Sequence, residues 1–197
     1  MYKLGLTGGI GSGKTTAAKY LQQKGAVIFD ADIEAKKLIT NNNILSQNIL
    51  KTFGPQITTN NTLDLKKLSK VVFSSAKLQN LLNKIVWPEV SNAMIDAAKN
   101  AGNQGVNVFI VDAALLLEAG FAEFFNSILL ITAEKTIRFN RILLRKNIPK
   151  DQIEKRMALQ MPELEKIKLA NSTIENNGDV SELYIKLEKY WEKLNIE

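Results

Sequence analysis

Apolar residues along the chain follow two alternating rhythms, short unbroken runs and longer stretches spaced by three and four, and this alternation predicts strand–helix units. The runs are 2–7, Ala26-Val27-Ile28-Phe29 ending at Asp30, 106–111 ending at Asp112, 127–131 and Ser172-Thr173-Ile174. Helical spacing is expected over 14–24, from Asp32 to about residue 39, and from a turn and cap at Asn41-Asn42-Asn43 to Gly54-Pro55. A loop is expected over 58–61. A long helical stretch over 63–101 should bury Leu65, Leu68, Val72, Leu78, Leu81, Leu82 and Ile85, and 102–105 breaks it. A further helix begins near Glu134. Five short strands alternating with helices predict an α/β fold of three layers, a five-stranded parallel sheet with helices on both faces. Ligands of such sheets bind at the carboxyl ends of the strands, where residues 8–13, Asp30, Asp32 and Asp112 emerge.

The turn after the first strand carries the chemistry. Gly8-Gly9-Ile10-Gly11-Ser12-Gly13-Lys14-Thr15 matches G-x-x-x-x-G-K-[ST], between an apolar strand and the helical Thr16-Ala17-Ala18-Lys19-Tyr20-Leu21. Glycines let the backbone wrap an oxyanion with N–H groups inward, Lys14 can reach β- and γ-phosphates, and the Thr15 hydroxyl can bind Mg²⁺. Asp112 reads as a carboxylate near that metal, although many strands end in Asp. In Asp30-Ala31-Asp32 a carboxylate could orient or deprotonate an attacking hydroxyl; the alternative is a helix cap.

Composition narrows the reaction class. The 197 residues include neither cysteine nor histidine, which excludes thiol nucleophiles, disulfides, imidazole bases and Cys- or His-ligated zinc. Carboxylates, Lys, Arg, hydroxyls and backbone amides remain. No apolar run approaches the ~20 residues of a spanning helix, and the first strand starts at once, so a cytoplasmic location without signal peptide or membrane anchor is expected. The net charge is +6, with positive residues spread along helical stretches and densest in one segment, at Lys135, Arg138, Arg141, Arg145, Lys146, Lys150, Lys155 and Arg156. That density suits an arginine-bearing lid over a nucleotide or a nucleic-acid patch, and the scarcity of interleaved aromatics weakens the second. Arg141 and Arg145 share one helical face, with Ile137, Leu144 and Ile148 mostly opposite. Guanidinium groups there would stabilise phosphoryl transfer, the plain alternative being a solvated face.

The chain resembles the dephospho-CoA kinase family over nearly its whole length. The resemblance is carried by Leu6-Thr7 with the glycine loop, Ile28-Phe29-Asp30-Ala31-Asp32, Leu63-Asp64, Ile85-Val86-Trp87-Pro88, Val111-Asp112, Leu115-Leu116-Leu117-Glu118, Arg141-x-x-x-Arg145, Arg156-Met157-Ala158-Leu159-Gln160 and Ile174-Glu175-Asn176-Asn177-Gly178. It implies a P-loop kinase domain over 1–197, with a helical acceptor segment near 60–100 and a lid near 134–160. It implies ATP and Mg²⁺, with dephospho-CoA phosphorylated on its ribose 3′-hydroxyl. Lys14 and the stretch Gly9, Ile10, Gly11, Ser12, Gly13, Thr15 and Thr16 would hold the phosphates, and Thr15 with Asp112, through water, the metal. Asp32 would act on the hydroxyl, Arg141 and Arg145 on the transferring group, and Asn176 would lie near adenine. Neither nucleic acid nor membrane is an expected partner, and a monomer or weak homo-oligomer is expected. The chain departs from the family pattern at Trp87 (usually His), Leu65 (Arg), Ala114 (Pro), Lys146 (an acid) and Asn171 (Asp), which bears on acceptor docking more than on nucleotide binding. Rival readings are a kinase of another nucleoside or nucleotide, and an ATP-binding regulatory protein without turnover.

Overall fold

The computed structural model describes residues 1–146 and 149–194, without the side chains of residues 145 and 146. Five strands form one sheet: β1 (Tyr2–Thr7), β2 (Val27–Asp30), β5 (Val108–Asp112), β6 (Ser127–Thr132) and β7 (Ser172–Glu175). Its order is β2-β5-β1-β6-β7 and every pairing is parallel, as the alternation of elements predicts. All five residues of β5 are buried, which is why this segment reads as a continuous apolar run and not as an alternating one. The strand starts two residues later than its apolar run, at Val108, and takes in Asp112.

One face of the sheet supplies Leu4, Leu6, Ile110, Leu129 and Ile131 to a core closed by Ala17, Leu21, Leu183 and Leu187. The latter lie on α1 (Lys14–Gln23) and α9 (Val180–Lys193). Full burial of each such Leu or Ile is worth about 1.5–3 kcal/mol, so this layer fixes the strand that leads into the glycine loop. On the other face Gly5 admits Leu116 and Phe125, atoms of which lie 3.0 and 3.1 Å from where a Cβ would stand.

The chain forms two compact units, residues 1–30 with 97–197, and residues 31–96. The second contains α2 (Ala31–Asn41), α3 (Asn43–Phe53), a 3₁₀ turn (Pro55–Ile57), the hairpin β3 (Thr58–Thr59) and β4 (Thr62–Leu63), α4 (Leu65–Val72) and the first part of α5 (Ala76–Asn103). The expected Asn cap is present: the Asn42 side chain accepts from the Leu45 N–H at 3.0 Å.

Two local expectations fail here. The 58–61 loop is a hairpin turned by Asn60 and Asn61 at φ 51° and 60°, a left-handed pair that Asn tolerates. The 63–101 stretch is two helices, because Ser75 begins a new one: its Oγ accepts from the Leu78 N–H at 3.3 Å. Leu68 and Val72 are buried as expected, whereas Leu81 is 38% exposed and the inward positions of α5 are Val86, Val90 and Met94.

Candidate active site

The glycine loop connects β1 to α1 at the carboxyl edge of the sheet. Gly13 occupies the N-cap position of α1 without a side-chain cap, and the first turn holds no acid. The amides there lack the carboxylate that usually neutralises a helix N-terminus, which suits them to an anionic ligand. Gly13 has φ 100°, and a Cβ on it would run into the Asn176 amide. That contact is used: Asn176 Nδ2 donates to the Ser12 carbonyl at 2.7 Å, tying the loop to the segment after β7. Ser12 Oγ and Thr7 Oγ1 are buried with no hydrogen-bond partner.

Lys14 Nζ makes a close ion pair with Asp112 Oδ1, the two side chains being 12% and 3% exposed. Register brings a second carboxylate to the same edge, since Asp30 lies opposite Asp112 across the β2–β5 pairing. Thr15 is exposed on the first turn of α1. Among the described residues no three or more acidic side chains form a metal cage. The Thr15 hydroxyl and the strand-end carboxylates are hard oxygen donors, the kind taken by an ion such as Mg²⁺ that keeps water and phosphate oxygens as its other ligands. Asp32 is exposed in the first turn of α2, inside the helix and not at its cap, and belongs to the unit 31–96.

Two helices carry the basic segment, α6 (Lys135–Lys146) and α7 (Lys150–Ala158), followed by α8 (Glu163–Leu169). Arg141 does not project freely: Nη1 donates to the Asn176 carbonyl and Nη2 to the Gly178 carbonyl, both at 2.9 Å. It therefore shapes the 176–178 turn, whose Asn177 Oδ1 also accepts from the Glu134 N–H at 2.8 Å. The Arg145 side chain and Ile148 lie outside the described residues. Leu144, expected on the apolar side, is 87% exposed, and Ile142 is the buried residue instead. Arg156 stands in the last turn of α7.

Sequence reasoning missed the residues that brace the loop. Gln160 Oε1 accepts from the Ile10 N–H at 2.8 Å. Arg138 Nη1 lies 3.1 Å from Glu163 Oε2, and the other oxygen of Glu163 takes the Thr132 hydroxyl. Lys166 is fully buried, 3.1 Å from Glu118 Oε1, and donates to the Ala114 carbonyl at 3.3 Å. Glu118 Oε1 also accepts from the Met161 N–H at 2.9 Å. Arg138 was visible only as one of eight cations, and Gln160 only as a letter in a motif. At Asn171, one of the departures, the side chain accepts from the Ile128 N–H at 2.7 Å, a role that needs an oxygen but not a charge.

A strand, glycine loop and helix at the carboxyl edge of a parallel sheet, with the loop lysine paired to an aspartate at the end of β5, define a P-loop kinase. A sequence profile of the dephospho-CoA kinase family matches residues 2–182. A dephospho-CoA kinase of Fusobacterium nucleatum is 36% identical, the alignment covering 97% of each chain. A solved structure from Thermus thermophilus superposes with a TM-score of 0.82 at 27% identity, covering 98% of each chain. A dephospho-CoA kinase of Campylobacter jejuni shares the fold with a TM-score of 0.69 at 20% identity, covering 98% of this chain and 96% of that one. The chain belongs to the dephospho-CoA kinase family.

Proposed function

We propose that this protein transfers the γ-phosphoryl group of ATP to the ribose 3′-hydroxyl of dephospho-CoA, giving CoA and ADP. The observation that carries the reading is the glycine loop with an uncapped α1, its lysine held against Asp112, in a chain that matches the family along most of its length. The 3′-oxygen attacks the γ-phosphorus, its proton passes to Asp32, and the bond from γ-phosphorus to the bridging oxygen breaks to leave ADP.

Lys14 exchanges Asp112 for the β- and γ-phosphates, and the amides of residues 9–16 hold the chain of oxygens. Thr15, with Asp112 through water, would hold Mg²⁺, which supplies neutralisation of charge on the phosphate oxygens. Asn176 lies near adenine in this reading, and its bond to the Ser12 carbonyl ties that segment to the phosphate loop. Arg145 acts on the transferring group, and Arg141 joins it only by giving up its carbonyl bonds to 176 and 178. The helical stretch within 60–100 receives the pantetheine end of the acceptor. No helix among the described residues is long and apolar enough to cross a membrane. The cysteine-free composition is compatible with a reducing cytoplasm, where the protein would work as a monomer or weak homo-oligomer.

An acceptor-competition assay tests the reading: ADP release is followed with ATP, Mg²⁺ and either dephospho-CoA or a panel of nucleoside monophosphates. The expected result is release driven by dephospho-CoA. Release driven only by a monophosphate would reassign the acceptor, and nucleotide binding without release would make the protein a non-catalytic ATP binder.

A further inference from the structure

Among the described side chains, the guanidinium that lies directly on the glycine loop is that of Arg138, whereas Arg141 is turned to the 176 and 178 carbonyls. Arg138, in the first turn of α6, sets its Nη1 against Gly9 so closely that a Cβ on that glycine would overlap it. A side chain at position 9 would have to displace the guanidinium from the loop. The Arg138 side chain is 12% exposed, and its one ion pair among the described contacts runs from Nη1 to Glu163. Its Nε is buried and has no hydrogen-bond partner. A guanidinium offers five N–H donors in a rigid fork, so most of this one's capacity is uncommitted while its charge is already held at the loop. The same group borders a cavity of about 460 Å³ with Lys135, Gln160 and Glu163.

We infer that Arg138 is a further phosphate-binding residue, held in reserve by Glu163 and transferred to the terminal phosphate of the bound nucleotide. The inference rests on the nucleotide reading of the loop. A triphosphate terminus presents more charge and more acceptor oxygens than one carboxylate, and the fork that Glu163 occupies at a single nitrogen can pair with it twice. Glu163 keeps a partner when the arginine leaves, because its other oxygen holds the Thr132 hydroxyl. Its side chain is also 24% exposed, so solvent can screen the carboxylate once the guanidinium has left. Arg141 cannot substitute without breaking two bonds to the 176–178 turn.

Binding of ATP and of ADP to the purified full-length protein, with Mg²⁺, separates the possibilities. Arg138→Ala should weaken ATP by about tenfold and ADP much less, with Arg138→Lys between. Glu163→Gln should tighten ATP by a few-fold, and in the Arg138→Ala background the same change should do almost nothing. Lys135→Gln removes an exposed cation from the same cavity and sets the size of a pure charge effect, expected below twofold. Equal losses for ATP and ADP, or a Glu163→Gln gain that survives without Arg138, would overturn the inference. Should Arg138→Ala lose its fold, Arg138→Lys and Glu163→Gln still decide. Wild-type binding abolished by Lys14→Ala, together with Arg138 variants that match wild type, would sink this inference alone. Wild type that binds no ATP would sink the nucleotide reading and this inference with it.

Discussion

The phosphate loop and the segments that brace it are built by opposite means. The loop is local: eight consecutive residues, closed by bonds such as Ser12 N–H to the Gly9 carbonyl at 3.0 Å, carry both its shape and its reactive groups. The brace is assembled from distant pieces, since Gln160 reaches Ile10 across 150 positions and Asn176 reaches Ser12 across 164. A local motif announces its chemistry in the spacing of its residues. A brace built from single side chains far apart in sequence becomes visible only when the sheet has set them side by side.

Substitutions should rank accordingly. Lys14→Ala strips the loop of its charge and is expected to lower turnover about 10²–10³-fold in an ADP-release assay; a near-normal rate would detach the loop from catalysis. Asp32→Asn should lower kcat about 10²-fold while the KM for ATP stays within about twofold, and matching losses in both would make Asp32 a nucleotide-side or metal-side group. In the brace, Asn176→Ala leaves the Ser12 carbonyl without its donor and should cost about 1–3 kcal/mol of stability, with a smaller loss of ATP affinity than Lys14→Ala; thermal and ligand titrations measure both.

The smallest effect belongs to Asp179, which caps α9 just beyond the 176–178 turn. The Glu182 N–H bonded to its carboxylate holds its pKa below the usual carboxylate value. Its contribution is therefore present above the ordinary Asp range and lost as pH falls through the lowered folded value. Asp179→Asn should lower Tm slightly at neutral pH, and the gap to wild type should close in acid. A gap independent of pH would show that the ionised carboxylate is not what stabilises the cap.

How much could be read from the sequence follows the same division. The five strands, their parallel order of ends, and the approach of the loop to Asp112 were legible because buried parallel strands are continuous apolar runs and their carboxyl ends share one edge. Lys14, Thr15 and Asp112 came with that frame, although the Lys14–Asp112 pair itself did not. The 58–63 hairpin escaped because two-residue strands leave no periodicity, and Asn60-Asn61 reads equally as loop or turn. The split at Ser75 escaped because helical spacing runs on across it. The direction of Arg141 escaped for a deeper reason: a helical face tells which residues are neighbours on the surface, not which carbonyl of another segment waits opposite.

The central claim is most directly tested by incubating the protein with γ-labelled ATP, Mg²⁺ and dephospho-CoA and locating the label in the product. The account predicts dephospho-CoA heavier by one phosphoryl group, labelled at the ribose 3′ position, and no such product from Lys14→Ala. Label that stays on ATP although the nucleotide binds, or that appears on a different hydroxyl or acceptor, would contradict it.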